Sequence, residues 1–251
     1  GLTSIASDML YGCVGLTEIK IPDRVTSIGR GAFEGCSGLT EINIPDGVTS
    51  LGNGVFSGCS GLTEIKIPDV ITTIGDYLFS GCGRLTSVNI PDGVTAIGEG
   101  AFEVCPMTSI QIPDSVTSIG KWAFAGCGRL TEINIPDGVM SIGDAAFSGC
   151  GSLTEIRIPD GVTSIGAQMF YYCDELVDVR LPDGVTSIGK AACFGCERLM
   201  SIQLPDSLTC IGDEVFTQCS WLSEIEIPDG VTSIGEYAFM RCYDLWRVKL
   251  P

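Results

Sequence analysis

Leu39-Thr40-Glu41-Ile42-Asn43-Ile44-Pro45-Asp46-Gly47-Val48-Thr49-Ser50-Leu51-Gly52-Asn53-Gly54-Val55-Phe56-Ser57-Gly58-Cys59 is the stretch that decides the fold, because the chain repeats it from end to end. Proline marks the beat, from Pro22 and Pro45 to Pro228 and Pro251. Every interval is 23 residues except Pro91 to Pro113, which is 22. Within the unit, Leu39, Ile42 and Ile44 are apolar. Ile42 and Ile44 share one strand face, while Glu41 and Asn43 point the other way. Pro45 ends the strand because it has no N–H for a ladder. Ile44-Pro45-Asp46-Gly47 reads as a type I turn, with the ring pre-setting φ. Val48 to Leu51 is a second short extended piece. Phe56 and Cys59, three apart, are expected to point inward from one short helical or 3₁₀ turn.

Two glycine positions differ in meaning. The place of Gly47 also accepts Arg24, Val70, Ser115 and Ser207, so it cannot require a positive φ. The place of Gly52 is glycine in ten of eleven coils, Ala6 being the exception. That pattern calls for either a positive φ or close backbone approach. No single unit can bury its apolar face, whereas stacked units share one continuous core. At about 4.8 Å per parallel strand, ten coils make a rod or arc on the order of 48 Å long.

The string Ile-Pro-Asp-Gly-Val-Thr-Ser-Ile-Gly-x-x-Ala-Phe-x-Gly-Cys-x-x-Leu-Thr-x-Ile resembles the BspA-like, or Treponema-type, leucine-rich repeat, over the whole chain. The resemblance implies a β-dominated solenoid of the curved horseshoe type, with a parallel sheet on its concave face. It also implies an extracellular or cell-surface adhesion role, and transfers no particular ligand. Residues 1–251 are expected to form a single solenoid of ten to eleven coils. Gly1 falls inside a repeat, so the terminal caps and the natural N-terminus are expected to be missing.

Composition narrows the function classes. With 45% hydrophobic residues the chain has ample material for a core. No run of 18 apolar residues exists to span a membrane. A net charge of −17 argues against nucleic acid and anionic membranes, which need clustered Lys and Arg. The chain contains no histidine, which removes the commonest general base and metal ligand. The reading is therefore a non-enzyme that needs no cofactor and no metal.

Eleven of the thirteen cysteines fall on one ladder, from Cys13 and Cys36 to Cys242. Parallel stacking aims their Cβ vectors alike, so free, buried thiols are expected rather than disulfides. Cys193 takes the phenylalanine place, with Phe194 displaced by one, and makes a lone Cys-x-x-Cys with Cys196. Zinc or redox chemistry would call for a second pair or a histidine. Cys210 merely replaces a small residue. The ten aspartates that follow the prolines, Asp46 among them, form a row whose simplest role is capping N–H groups in the turn. A straight row does not converge as calcium ligands must.

The sheet's outward columns run Glu18, Glu41, Glu64 to Arg247, and Lys20, Asn43, Lys66 to Lys249. Glu18–Lys20, Glu64–Lys66, Glu155–Arg157 and Asp178–Arg180 are expected as weak ion pairs two residues apart. Departures from the repeat gather late in the chain: Tyr171 and Tyr172, the displaced Phe194, Trp221, then Tyr237, Met240, Tyr243 and Trp246. Aromatics and arginine dominate interface energetics. The candidate binding residues are thus Tyr171, Tyr172, Trp221, Tyr237, Tyr243 and Trp246, with Arg157 and Arg180 on the sheet. The leading reading is a module for protein–protein interaction or adhesion. The alternative is an architectural or scaffold subunit whose aromatics are covered by a fixed neighbour. At the 22-residue interval, Pro106-Met107 replaces the usual three-residue step after cysteine. Met107 is expected to take the inward leucine place without a break in the sheet.

Overall fold

A computed structural model describes residues 1–251 as a parallel β-solenoid of stacked 23-residue coils. Seventy-two buried side chains form one continuous core. Two strand columns run along it. The more regular one is the second extended piece of each unit: Ser27–Ile28 pairs in parallel with Ser4–Ile5 and with Ser50–Leu51. This ladder divides into sheets of three, four and four strands, parting between Leu51 and Thr73 and between Ile142 and Ser164. Threonine reinforces it. The amide and the hydroxyl of Thr49 both donate to the carbonyl of Thr26, at 2.9 and 3.2 Å.

The column expected as the main strand is the sparser one. Glu155–Arg157 pairs with Asp178–Arg180, and Glu224–Glu226 with Arg247–Lys249. Elsewhere it is reduced to single bridges such as Lys20 to Asn43. The piece is short, and the proline that ends it offers no N–H to the next rung. The turn also begins one residue later than expected. The carbonyl of Pro45 accepts the N–H of Val48 at 2.9 Å, so Asp46 and Gly47 are its central residues.

The expected helical or 3₁₀ turn around Phe56 and Cys59 is absent; the segment is a chain of β-turns. Each coil holds two residues at positive φ, four apart, as at Gly31 (57°) and Gly35 (73°). Left-handed residues interrupt any right-handed helix. The amides then alternate in direction. Gly31, Phe33 and Gly35 donate to Asn53, Val55 and Ser57 of the next coil, at 3.0, 3.0 and 2.7 Å. Ala32, Glu34 and Cys36 donate within their own coil.

The Gly52 place resolves as close approach, not positive φ. A Cβ built on Gly52 would lie 2.4 Å from the backbone nitrogen of Arg30, leaving no room for a side chain. Gly47 meets nothing nearer than 3.6 Å, which is why other residues are tolerated in its column.

Phenylalanine sets the curvature. Seven rings from Phe33 to Phe170 stack with centroids 5.5 to 6.2 Å apart and planes within 18°. Hydrogen-bonded parallel strands repeat at about 4.8 Å. The larger step on the phenylalanine side bends the solenoid, with the turns outside and the Glu41–Asn43 face inside. The stack stops at Cys193 and resumes with Phe216 and Phe239, 5.6 Å apart.

The short interval leaves the core unbroken. Met107 is fully buried, Ile110 and Ile112 are buried, and Ala96 pairs with Ser118. All thirteen cysteines are free thiols, and of the ladder only Cys13 is exposed. Each later ladder thiol donates to a carbonyl of the preceding coil, as Cys59 does to Phe33 at 3.1 Å.

Candidate functional site

The inner face presents alternate side chains of the sparser strand column, because pleating sends Ile42 and Ile44 inward and Glu41 and Asn43 out. Ser109, Gln111, Glu132, Asn134, Arg157 and Arg180 line one shallow depression on it. Arg157 and Arg180 are direct partners on adjacent strands.

Of the four ion pairs expected two residues apart, only Asp178–Arg180 forms, at 2.8 Å. Lys66 and Arg157 reach instead to the aspartate row of the preceding coil, Lys66 to Asp46 at 3.1 Å and Arg157 to Asp137 at 2.6 Å. Arg157 also meets Asp160 at 3.4 Å. Glu155 and Arg157 leave their strand side by side, whereas the corner aspartates lie ahead of the arginine's long stem. The hydrogen bond that Arg157 donates to Asp137, together with the charge of that carboxylate, raises the pKa of Arg157 above the ordinary guanidinium range, and Asp178 does the same for Arg180. At the end of the chain the pairs run between neighbouring strands, Arg247 with Glu224 and Lys249 with Glu226.

The aspartate row does not cap the turn. None of its carboxylates accepts a backbone N–H, and nowhere do three acidic or cysteine side chains converge as metal ligands. Capping is done by a different column: Asp76, Asp144 and Asp213 accept the N–H of Glu99, Ala167 and Glu236 at 2.9, 3.0 and 2.9 Å. Each sits next to the tight glycine, where adjacent coils approach closely.

The aromatic candidates fall into separate places. Tyr171 and Tyr172 touch edge to face at 4.6 Å on the turn side. Phe194, displaced from the core, joins them at 5.0 Å from Tyr171 and 5.5 Å from Tyr172. The three form one partly exposed cluster. Burial, followed by the neighbouring Tyr172 hydroxyl, raises the pKa of Tyr171. Trp221 lies at another corner, under the guanidinium of Arg198 at 5.3 Å. Tyr237, Tyr243 and Trp246 of the last coil are 62%, 75% and 73% exposed and stack on no other ring. Tyr172 and Tyr237 stand at positive φ, 53° and 58°, where a large side chain costs backbone energy.

A family model for the BspA-type leucine-rich repeat region, in six copies, matches residues 3–131 and 118–246. This chain belongs to the BspA-type leucine-rich repeat family. Among solved structures, a leucine-rich cell surface protein of Faecalibacterium prausnitzii is 34% identical, with a TM-score of 0.69, over 99% of this chain and 76% of that one. A leucine-rich repeat protein of Bacteroides ovatus is 29% identical, with a TM-score of 0.62, over 90% and 76%. The leucine-rich repeat protein of Treponema pallidum is 26% identical, with a TM-score of 0.54, over 78% of each chain. Among curated proteins nothing matches this chain.

Against the regular BspA-type unit, two contributors to the aromatic surface were not singled out from the sequence, Phe194 as a surface ring and Arg198. A signal existed for both. Arg198 and Trp221 occupy the same place in consecutive coils, 23 residues apart, so stacking had to bring them together. Phe194 follows the cysteine that replaced the core phenylalanine. No helix in this BspA-type solenoid is long and apolar enough to cross a membrane.

Proposed function

We propose that this BspA-type solenoid is a cell-surface module for protein binding or adhesion. It would hold its partner through the later coils: the Tyr171–Tyr172–Phe194 cluster, Trp221, Tyr237, Tyr243 and Trp246, with Arg157 and Arg180 on the inner face. One observation carries the reading. Exposed rings gather in the later coils, Tyr172, Trp221, Tyr237, Tyr243 and Trp246 against Tyr11 and Trp122 before them, and two of the later ones, Tyr172 and Tyr237, hold a positive φ that costs backbone energy. Exposed aromatics are the residues that anchor interfaces. The relative from Faecalibacterium prausnitzii, itself a leucine-rich cell surface protein, supports the location.

The test is site-specific photo-crosslinking on intact cells of the source. A photoreactive residue at Tyr172 or Trp246 should capture a protein, and one at Ser57 on an early turn should not. Capture confined to early coils would overturn the reading.

A second reading, an architectural subunit, draws on the exposed rings of Tyr172 and Trp221, which a fixed neighbour would cover. It predicts that the isolated chain self-associates, and that Tyr172→Ser with Trp221→Ser restores a monomer on size-exclusion chromatography.

A further inference from the structure

The turn Cys193-Phe194-Gly195-Cys196 is the one place in the solenoid where two cysteines close the same β-turn. The N–H of Cys196 donates to the carbonyl of Cys193 at 3.2 Å, closing a β-turn around Gly195 at φ 74°. The ends of such a turn have Cα atoms less than about 7 Å apart. That spacing overlaps the window of about 4.4–6.8 Å in which a disulfide forms without backbone movement. In the other coils the first of these places holds a buried phenylalanine, or Leu10, and the second the ladder cysteine, so both positions aim into the core. Cys193 and Cys196 are correspondingly buried. Cys193 interrupts the phenylalanine column between Phe170 and Phe216, and the thiol of Cys196 donates to the carbonyl of Phe170 at 3.1 Å. The ladder neighbours Cys173 and Cys219 project from adjacent coils in parallel with Cys196, so their Cβ vectors do not converge on it as a disulfide needs.

We infer that Cys193 and Cys196 form a disulfide across this turn under oxidising conditions, and that the bond fixes the turn that carries Phe194 against Tyr171 and Tyr172. With glutathione disulfide as oxidant, one protein thiolate attacks it, forming a mixed disulfide and releasing one glutathione thiolate. The second protein thiolate then attacks the protein sulfur and releases the other. Two protein thiols are oxidised, one glutathione disulfide is reduced, and the two protons pass to the departing thiolates. Burial disfavours the thiolate of Cys196 in the folded chain. The bond is therefore made during folding, before the neighbouring coils cover the turn, and is slow to reduce afterwards. The disulfide stands on the turn geometry alone; only its consequence for the aromatic cluster rests on the binding role proposed above.

The test is to refold the full chain in a glutathione redox buffer and map its cysteines by mass spectrometry after alkylation. The expected result is a single linkage, Cys193 to Cys196, with the mass of two hydrogens lost and the other eleven thiols alkylated. Cys193→Ser should fold with the same far-ultraviolet circular dichroism and show no linkage. Recovery of both cysteines as free or glutathionylated, or linkage of Cys196 to Cys173 or Cys219, overturns the assignment. Mapping of protein exported to an oxidising periplasm gives the same reading without refolding. Reduction of the bond should change the near-ultraviolet tyrosine signal, and an unchanged signal overturns the coupling to the cluster. None of these measurements uses a partner, so they fail or succeed independently of the binding reading.

Discussion

Cys59 donates its thiol to the carbonyl of Phe33, 3.1 Å away in the preceding coil, and the same carbonyl accepts the N–H of Cys36 at 3.1 Å. One carbonyl thus joins two coils, which gives the cysteine column a structural reason. Cys59→Ala removes the inter-coil donor but leaves the amide bond. It should cost about 1–2 kcal/mol, the sum of a modest hydrogen bond and a small cavity. Urea denaturation under reducing conditions measures it, and a cost near zero would leave the column without this explanation.

The phenylalanine stack should be far less forgiving. Phe56→Ala removes a ring held between Phe33 and Phe79, both 5.8 Å away, and should cost roughly 3–5 kcal/mol through the cavity. A loss below about 1 kcal/mol by denaturant midpoint would show that neighbouring coils collapse into the space.

Two glycine columns should respond in opposite directions. Gly52→Ala forces a methyl group to within 2.4 Å of the Arg30 nitrogen, so the coils must separate; we expect a loss of several kcal/mol, on the order of a large core mutation. Val104 stands at φ 58° and 56% exposed in a column that is otherwise mostly glycine. Val104→Gly should therefore stabilise the fold by about 1 kcal/mol. Thermal melts of the two variants check both signs.

Stability should fall in alkaline solution. Burial pushes the thiols of Cys59 and Cys127 from an ordinary value of 9.0 up to about 12. In the unfolded chain these thiols lose their protons near the ordinary value. Between the two values the folded chain therefore holds more protons than the unfolded one, and stability declines as pH rises. The contribution is complete below about pH 9 and is lost as pH climbs toward about 12. Denaturant midpoints of the reduced protein should be flat from about pH 7 to 8.5 and should drop by about pH 10.5. A midpoint that does not move would mean the ladder is open to solvent.

Binding should depend on a few rings. Tyr172→Ala or Trp246→Ala should each weaken the partner complex by about 2 kcal/mol if that ring is an anchor. Charge reversal of Glu41 or Glu64 should act mainly on association rate and salt dependence. Equilibrium affinity and stopped-flow rates separate the two effects. If rings and charges change only the rates, the aromatics are not the anchors.

The repeat itself was legible because a period of 23 residues constrains the fold more tightly than any local preference. Once each unit must bury Ile42, Ile44, Phe56 and Cys59 by stacking, the parallel solenoid, the buried cysteine ladder and the inward Met107 follow from the order of residues alone. The tight place of Gly52 was legible too, though not which of its two causes applied. A positive φ and a close neighbour both exclude a Cβ, and only the distance to Arg30 tells them apart.

Tertiary structure decided what depends on the direction of side chains and amides between coils. The run around Phe56 carries helix-like spacing, yet every second amide there donates to the next coil, and the left-handed residues that permit this forbid a helix. Arg157 has Glu155 two residues away in sequence but Asp137 ahead of its stem, so it reaches back twenty residues, a contact that no local pattern announces. Tyr171, Tyr172 and Phe194 are equally outward by position. Their gathering into one cluster depends on a ring that left the core when Cys193 took its place, and a one-dimensional pattern does not say where a displaced ring will settle. Sequence order determined which residues stack, because the period is a property of the chain. The packing between coils determined which of them touch, because those contacts depend on rotamers and hydrogen-bond directions that exist only after the coils are in place.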